Sequence, residues 1–304
     1  MTPIRKIQQE HGIVGRDAEL GLSLAVLDSG RHLLFEGPVG VGKTTVALAV
    51  CRHLGRPTVR VDGDDRYSES KLSGWFDPPL VLKKGYTDDT FFPGPLTQAM
   101  RDGAVLFINE LNRMPESVQN VLLPALDERL LLLPRIGEVH AAPGFQVIAT
   151  QNPVEYIATG HLSEALRDRF EHVRLTYQSA TEEAQIVARE TGSQDELLVW
   201  RAVAVTRATR VSPKFKKGAS VRAAIAMVAI VERLTTAGVA ADDALRQAAA
   251  AALTTRTELK DELGADLGVT IDEIIAALAG LELARLQALA DEASAIAPPA
   301  SPKA

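Results

Sequence analysis

The sequence holds one cysteine, Cys51, in 304 residues. A lone cysteine excludes an intramolecular disulfide and a cysteine-built zinc site, and it suits a reducing compartment. Aromatic residues are few, at 5%. No apolar run approaches the ~20 residues that cross a bilayer. No apolar stretch of the kind found in a signal peptide follows Met1-Thr2-Pro3-Ile4-Arg5-Lys6. The cytoplasm is therefore the expected location, with no membrane partner. An excess of basic charge is also missing. Lys and Arg number 33 against 39 Asp and Glu, a net charge of −6. That balance argues against a generally basic nucleic-acid binder, although a local patch survives it. The six histidines show no metal-ligand spacing.

What remains is ordinary globular composition, 46% hydrophobic and 24% charged. The length predicts about two domains. To about residue 178, short β-rich runs alternate with helical patterns. The runs are Leu33 to Phe35, Thr58 to Val61, Val105 to Ile108, Gln146 to Ala149 and Val173 to Leu175. The helical patterns are Lys43 to Leu54, Ser117 to Leu126 and Ser163 to Phe170. This alternation predicts an α/β domain, a parallel sheet with helices on both faces. Residues 179–290 lose the strands. Thr181 to Glu190, Gln194 to Thr206, Ser220 to Ala237, Ala241 to Thr255 and Ile271 to Leu289 read as Ala-rich amphipathic helices. An all-α domain is expected there, and a disordered Pro-rich tail over 291–304.

Three strand ends carry chemistry. The first is Gly37-Pro38-Val39-Gly40-Val41-Gly42-Lys43-Thr44, which fits G-x-x-x-x-G-K-[ST] in full between a strand and a helix. Glycines let backbone N–H groups converge on phosphate oxygens, and the helix N-terminus adds partial positive charge. Lys43 reaches the β- and γ-phosphates, and the Thr44 hydroxyl ligates Mg²⁺. Thr45 and Val14 join the loop as candidate ATP contacts. The second end is Asn109-Glu110, after the apolar run Ala104 to Ile108. Glu110 is the candidate general base for an attacking water. Asn109 offers an amide oxygen to the water shell of Mg²⁺ but brings no charge. The third end is Thr150-Gln151-Asn152-Pro153, after the run from Gln146. That strand is expected between the other two, with Asn152 facing the γ-phosphate.

Assembled, these stretches resemble the AAA+ ATPases, and specifically the MoxR-like group. The resemblance covers roughly residues 10–280. It includes Gly12-Ile13-Val14-Gly15-Arg16, Phe92-Pro93-Gly94-Pro95-Leu96 and Asn109-Glu110-Leu111-Asn112-Arg113. Leu166-Arg167-Asp168-Arg169-Phe170 and Gly218-Ala219-Ser220-Val221-Arg222-Ala223 complete it. The resemblance implies a P-loop domain with a helical lid, and ATP hydrolysis with Mg²⁺ in a ring oligomer, usually a hexamer. It also implies chaperone-like remodelling or maturation of partner proteins, often beside a protein with a von Willebrand factor A domain. By the same resemblance, Asn152 matches sensor 1 and Arg222 matches sensor 2. Arg169 matches the finger offered to the neighbour's ATP, with Arg167 a competitor. The departure is Asn109, where the family pattern has Asp.

Two insertions are expected to face the pore or a partner. Leu130 to Leu133 and Val139 to Ala142 read as a hairpin around Pro134 to Glu138. Tyr67 to Phe92 forms a long insert with Trp75-Phe76 and Phe91-Phe92, which either grip a partner or pack locally. Cys51 reads as a buried apolar residue of the helix after the phosphate loop, and Lys214 to Lys217 as a solvated basic loop. Two rival functions stay open. One is a nucleic-acid-stimulated motor of translocase or restriction type. The other is a nucleotide-gated scaffold with slow turnover.

Overall fold

The computed structural model describes residues 2–152, 162–260, 264 and 266–295. The chain divides into two compact units, Met1–Thr176 and Tyr177–Ala304.

The first unit opens with helices α1 (Pro3–His11) and α2 (Asp17–Asp28). Strand β1 (His32–Glu36), helix α3 (Lys43–His53) and strand β2 (Thr58–Asp62) follow. Next comes an insert of α4 (Glu69–Ser73), β3 (Gly74–Phe76), α5 (Pro78–Lys84) and β4 (Phe91–Pro93). Helix α6 (Pro95–Asp102) then leads into β5 (Val105–Asn109), α7 (Glu116–Asn120) and α8 (Leu122–Asp127). The unit ends with β6 (Leu130–Leu133), β7 (Gly137–His140), β8 (Gln146–Gln151), α9 (Glu164–Arg167) and β9 (Phe170–Arg174).

The main sheet is parallel, in the order β2-β5-β8-β1-β9. Its middle strands read as near-continuous apolar runs because helices cover both faces. Leu33, Leu34, Phe35, Val105 to Ile108 and Val147 to Ala149 are all buried. As the sequence predicts, the strand with the polar end, β8, lies between β1 and β5. Parallel strands bring their C-terminal ends to one edge. Glu36, Asp62, Asn109 and Gln151 therefore end side by side there.

Some local expectations shift. The single helix expected over 117–126 is two, α7 and α8, divided at Val121. Pro124 has no N–H to continue the first helix's ladder, which accounts for the division. The hairpin strands pair Leu130 with His140 and Leu133 with Gly137, so the second strand starts two residues earlier than expected.

The second unit consists of α10 (Ala180–Thr191), α11 (Glu196–Val211), β10 (Phe215–Lys217), α12 (Val221–Thr236), α13 (Ala241–Leu253), β11 (Glu258–Leu259), α14 (Leu267–Leu278) and α15 (Leu283–Ala295). Its core is dominated by Ala and Val from α10 to α15. It is not purely helical. The stretch expected as a basic loop forms β10, antiparallel to β11. Lys214 pairs with Glu273, and Lys216 with Glu258 at 2.7 Å. The long pattern from 271 breaks at Gly280, and α15 runs into the region expected as tail. The rest of that tail lies outside the described residues.

Candidate functional site

The phosphate loop joins β1 to α3. Gly42 sits at φ 91° as the cap of α3, a conformation that a Cβ would strain. The first N–H groups of α3 have no intrahelical partners, so they are available to an anion. Lys43 is buried, and its Nζ donates to Gly37 O at 2.7 Å and Pro38 O at 2.8 Å. Cys51 is buried on the same helix, and burial pushes its thiol up to about 12.

Thr44 begins a network across three strand ends. Its Oγ1 donates to Asn109 Oδ1 at 2.8 Å. Thr150 Oγ1 donates to the same oxygen at 3.0 Å. The Thr150 hydroxyl in turn accepts from Glu110 N at 2.9 Å. Asn109 Nδ2 donates to Asp62 Oδ1 at 3.0 Å. Glu110 takes the left-handed conformation, φ 57°, which turns the chain sharply out of β5. Its carboxylate accepts from Arg113 Nη1 at 3.0 Å. Asn152 follows β8 directly, and its carbonyl accepts from Asn112 Nδ2 at 3.4 Å. Loop, Thr44, Asn109, Glu110 and Asn152 are thus gathered at one edge of the sheet. Thr44 Oγ1 and Asn109 Oδ1 are neutral hard oxygen donors, a set that fits Mg²⁺ with most of its waters retained.

Three residues at the site carry contacts for which the sequence assigned them no role. Thr150 bridges Asn109 to Glu110. Asp62 faces Asn109, and the signal for it was an acid ending the neighbouring strand. Arg16, two residues after Val14 in sequence, is buried, with Nη2 donating to Val41 O at 3.1 Å and Thr176 O at 2.7 Å. It ties the phosphate loop to the end of the unit.

Within the first unit, Arg169 lies away from that edge. Arg169 immediately precedes β9, whose register pairs Phe170 with His32 and Arg174 with Glu36. At ~3.3 Å per residue, the five residues from Arg169 to Arg174 put it roughly 16 Å down the strand from the loop's edge. Its Nε and Nη2 donate to Asp127 Oδ2 at 2.8 and 2.6 Å, and its Nη1 to Ala165 O at 2.8 Å. Arg167 is exposed at the end of α9. Arg222 is exposed in the first turn of α12, in the second unit.

A family model described as an AAA domain of the dynein-related subfamily matches residues 32–170. The protein NorQ of Paracoccus denitrificans is 33% identical over 232 residues, covering 75% of this chain and 82% of NorQ. The chain belongs to the MoxR-like group of AAA+ ATPases. The gas vesicle ATPase GvpN of Ancylobacter aquaticus is 30% identical over 236 residues, covering 72% of this AAA+ chain and 66% of GvpN. Among solved structures, a RuvB mutant of Thermotoga maritima aligns with TM-score 0.54 at 21% identity, over 90% of this chain and 84% of that one. That likeness concerns the fold alone. Among the described residues, no helix is long and apolar enough to cross a membrane.

Proposed function

We propose that this AAA+ chain hydrolyses ATP in a cytoplasmic ring, a hexamer, and uses the cycle to remodel or mature partner proteins. The observation that carries the reading is the network joining Thr44, Asn109, Thr150 and Glu110 beside a complete phosphate loop. It draws the nucleotide-binding and water-activating candidates to one sheet edge.

In this reading the loop N–H groups and Lys43 hold the phosphates of ATP. When bound, Mg²⁺ neutralises phosphate charge, with Thr44 and Asn109 as its protein side. Glu110 accepts a proton from the attacking water. The water oxygen bonds to the γ-phosphorus while the bond to the β–γ bridging oxygen breaks, leaving ADP and phosphate. Asn152 orients the water. Arg222 stabilises the γ-phosphate charge from its own chain, and Arg169 does so for the neighbour. The distance of Arg169 from its own loop supports that assignment to a neighbour, as does the family resemblance.

The β3–β4 insert supports a protein partner. Phe76 and Phe91 pack against each other inward, with centroids 5.2 Å apart. Trp75 and Phe92 stack on the outside at 48% and 44% exposure. Leu82, Tyr86 and Leu132 are also exposed. Buried aromatic anchors dominate protein interfaces, and a von Willebrand factor A protein is the partner class implied by the resemblance. The name of the GvpN relative, an ATPase, supports turnover. The rival of a slow nucleotide-gated scaffold draws on the uncharged Asn109.

The test is steady-state ATPase activity and solution mass with ATP, for wild type and Glu110→Gln. Wild type is expected to turn over and to assemble. Glu110→Gln is expected to assemble with ATP and hydrolyse at least ~100-fold more slowly, the lower range for a lost general base. Variant turnover within about threefold of wild type refutes Glu110 as the base. Wild-type protein that stays monomeric with ATP refutes the ring.

A further inference from the structure

The charge that Asn109 lacks stands one strand away. β2 and β5 pair in parallel with Asp62 opposite Asn109. The Asp62 carboxylate accepts from Asn109 Nδ2 at 3.0 Å, and from Arg60 Nη2 and Nε at 2.7 and 3.0 Å. Its two oxygens are thus faced by the Arg60 guanidinium and the Asn109 amide, and it stands as an ordinary ionised aspartate at neutral pH.

This contact decides which way the amide points. An ionised carboxylate only accepts hydrogen bonds, so the Asn109 atom facing it is the NH₂ group. The amide oxygen is then turned toward Thr44 and Thr150, whose hydroxyls donate to it. Without Asp62, the two orientations of the amide lose their strongest distinction.

The backbone keeps the pair in register. Gly63 N donates to Asn109 O at 2.7 Å. A Cβ at Gly63 would lie 2.1 Å from Glu110 O, so only glycine lets the chain leave β2 flush against Asn109-Glu110. Asp62 is held in place although more than half of its side chain is exposed.

We propose that Asp62 and Asn109 form one split acidic unit toward the Mg²⁺-bound nucleotide: Asn109 presents the oxygen beside Thr44, and Asp62 supplies the negative charge and fixes the amide. Asp62 is thus a positioning residue acting through Asn109. The inference rests on the reading above that the loop binds Mg²⁺ with nucleotide.

The experiment measures ADP affinity by calorimetry, once with Mg²⁺ and once with EDTA. The ratio of the two dissociation constants is the Mg²⁺ coupling. Asp62→Asn is expected to reduce that ratio at least about fivefold, the low end of ordinary coupling between sites. Its metal-free affinity is expected to hold or tighten, because a carboxylate that repels phosphates is gone. General damage would weaken both conditions together, so a loss confined to the Mg²⁺ condition identifies the lost charge. Asn109→Asp alone sets two carboxylates facing each other and is expected to fall short. The exchange Asp62→Asn with Asn109→Asp is expected to restore the wild-type ratio or exceed it. A ratio within about twofold of wild type in Asp62→Asn overturns the proposal while leaving nucleotide binding intact. An exchange variant no better than Asp62→Asn overturns it too. Wild-type protein that binds no ADP, or binds it without Mg²⁺ coupling, overturns the nucleotide reading and the proposal with it.

Discussion

Lys43 keeps its ammonium on the Gly37 and Pro38 carbonyls of its own loop. Under the proposed function, nucleotide would replace those two neutral acceptors with phosphate oxygens, a stronger charge-assisted contact. Lys43→Ala is therefore expected to abolish detectable ATP binding by calorimetry, and unchanged affinity would refute the assignment of this loop. At this scale the sequence was explicit wherever a motif fixed the residue. Gly37 to Thr44 and Glu110 stand where their spacing put them. It was silent where a residue acts through a neighbour. Asp62 ends an ordinary strand, and Thr150 is one of several polar residues closing β8. Their importance lies in facing Asn109, which is a matter of strand order and register. Arg16 could be read only as part of a resembling stretch, since its partners Val41 and Thr176 are distant in sequence.

Among the elements, β1 begins with a residue that binds others together. His32 is buried; its Nδ1 accepts from Val147 N of β8 at 3.0 Å, and its Nε2 lies 3.3 Å from Leu126 O of α8. An acceptor at Nδ1 requires the neutral ring. Burial lowers its pKa from 6.5 to about 4. The unfolded chain therefore takes up this proton first as the pH falls. Stability is complete above about pH 6.5, declines toward pH 4 and then levels, by about 3 kcal/mol in all and about 2 kcal/mol by pH 5. Urea unfolding at pH 7 and pH 5 checks this. His32→Asn keeps an acceptor but no titration, and is expected to lose about 2 kcal/mol less between the two pH values. Equal losses would show that His32 carries no such linkage. The core strands themselves were legible because burial on both faces makes them unbroken apolar runs. The β10–β11 pair was not, since strands of three and two residues in which only Phe215 is buried leave no periodic signature. The division between α7 and α8 was written in Pro124, which the apolar pattern around it outweighed.

For the whole molecule, the proposal of a ring rests on where Arg169 stands. Head-to-tail packing of two different surfaces closes into a ring when the rotation allows. Arg169→Ala is expected to keep ATP binding and to lose hydrolysis by ~10³-fold or more. Lys43→Ala chains are expected to be inactive for the opposite reason, and they keep their arginine. Mixing the two inactive variants, with subunit exchange confirmed first, is expected to recover ATPase activity. Zero activity at every mixing ratio would exclude Arg169 as a finger in trans, and Arg167 would be tested next in the same way.

The position of Arg169 also sets how the activity depends on dilution. Its guanidinium is already aligned by Asp127 and Ala165, at the far end of β9 from the loop of its own chain. Under the trans assignment a lone chain owns half of each of two sites and all of none. A closed ring has as many working sites as chains, an open stack has one fewer, and a monomer has zero. The rate per chain should therefore fall with dilution below the assembly constant, with ATP saturating throughout. A chain that kept its full specific rate as a monomer would have to find its arginine within itself.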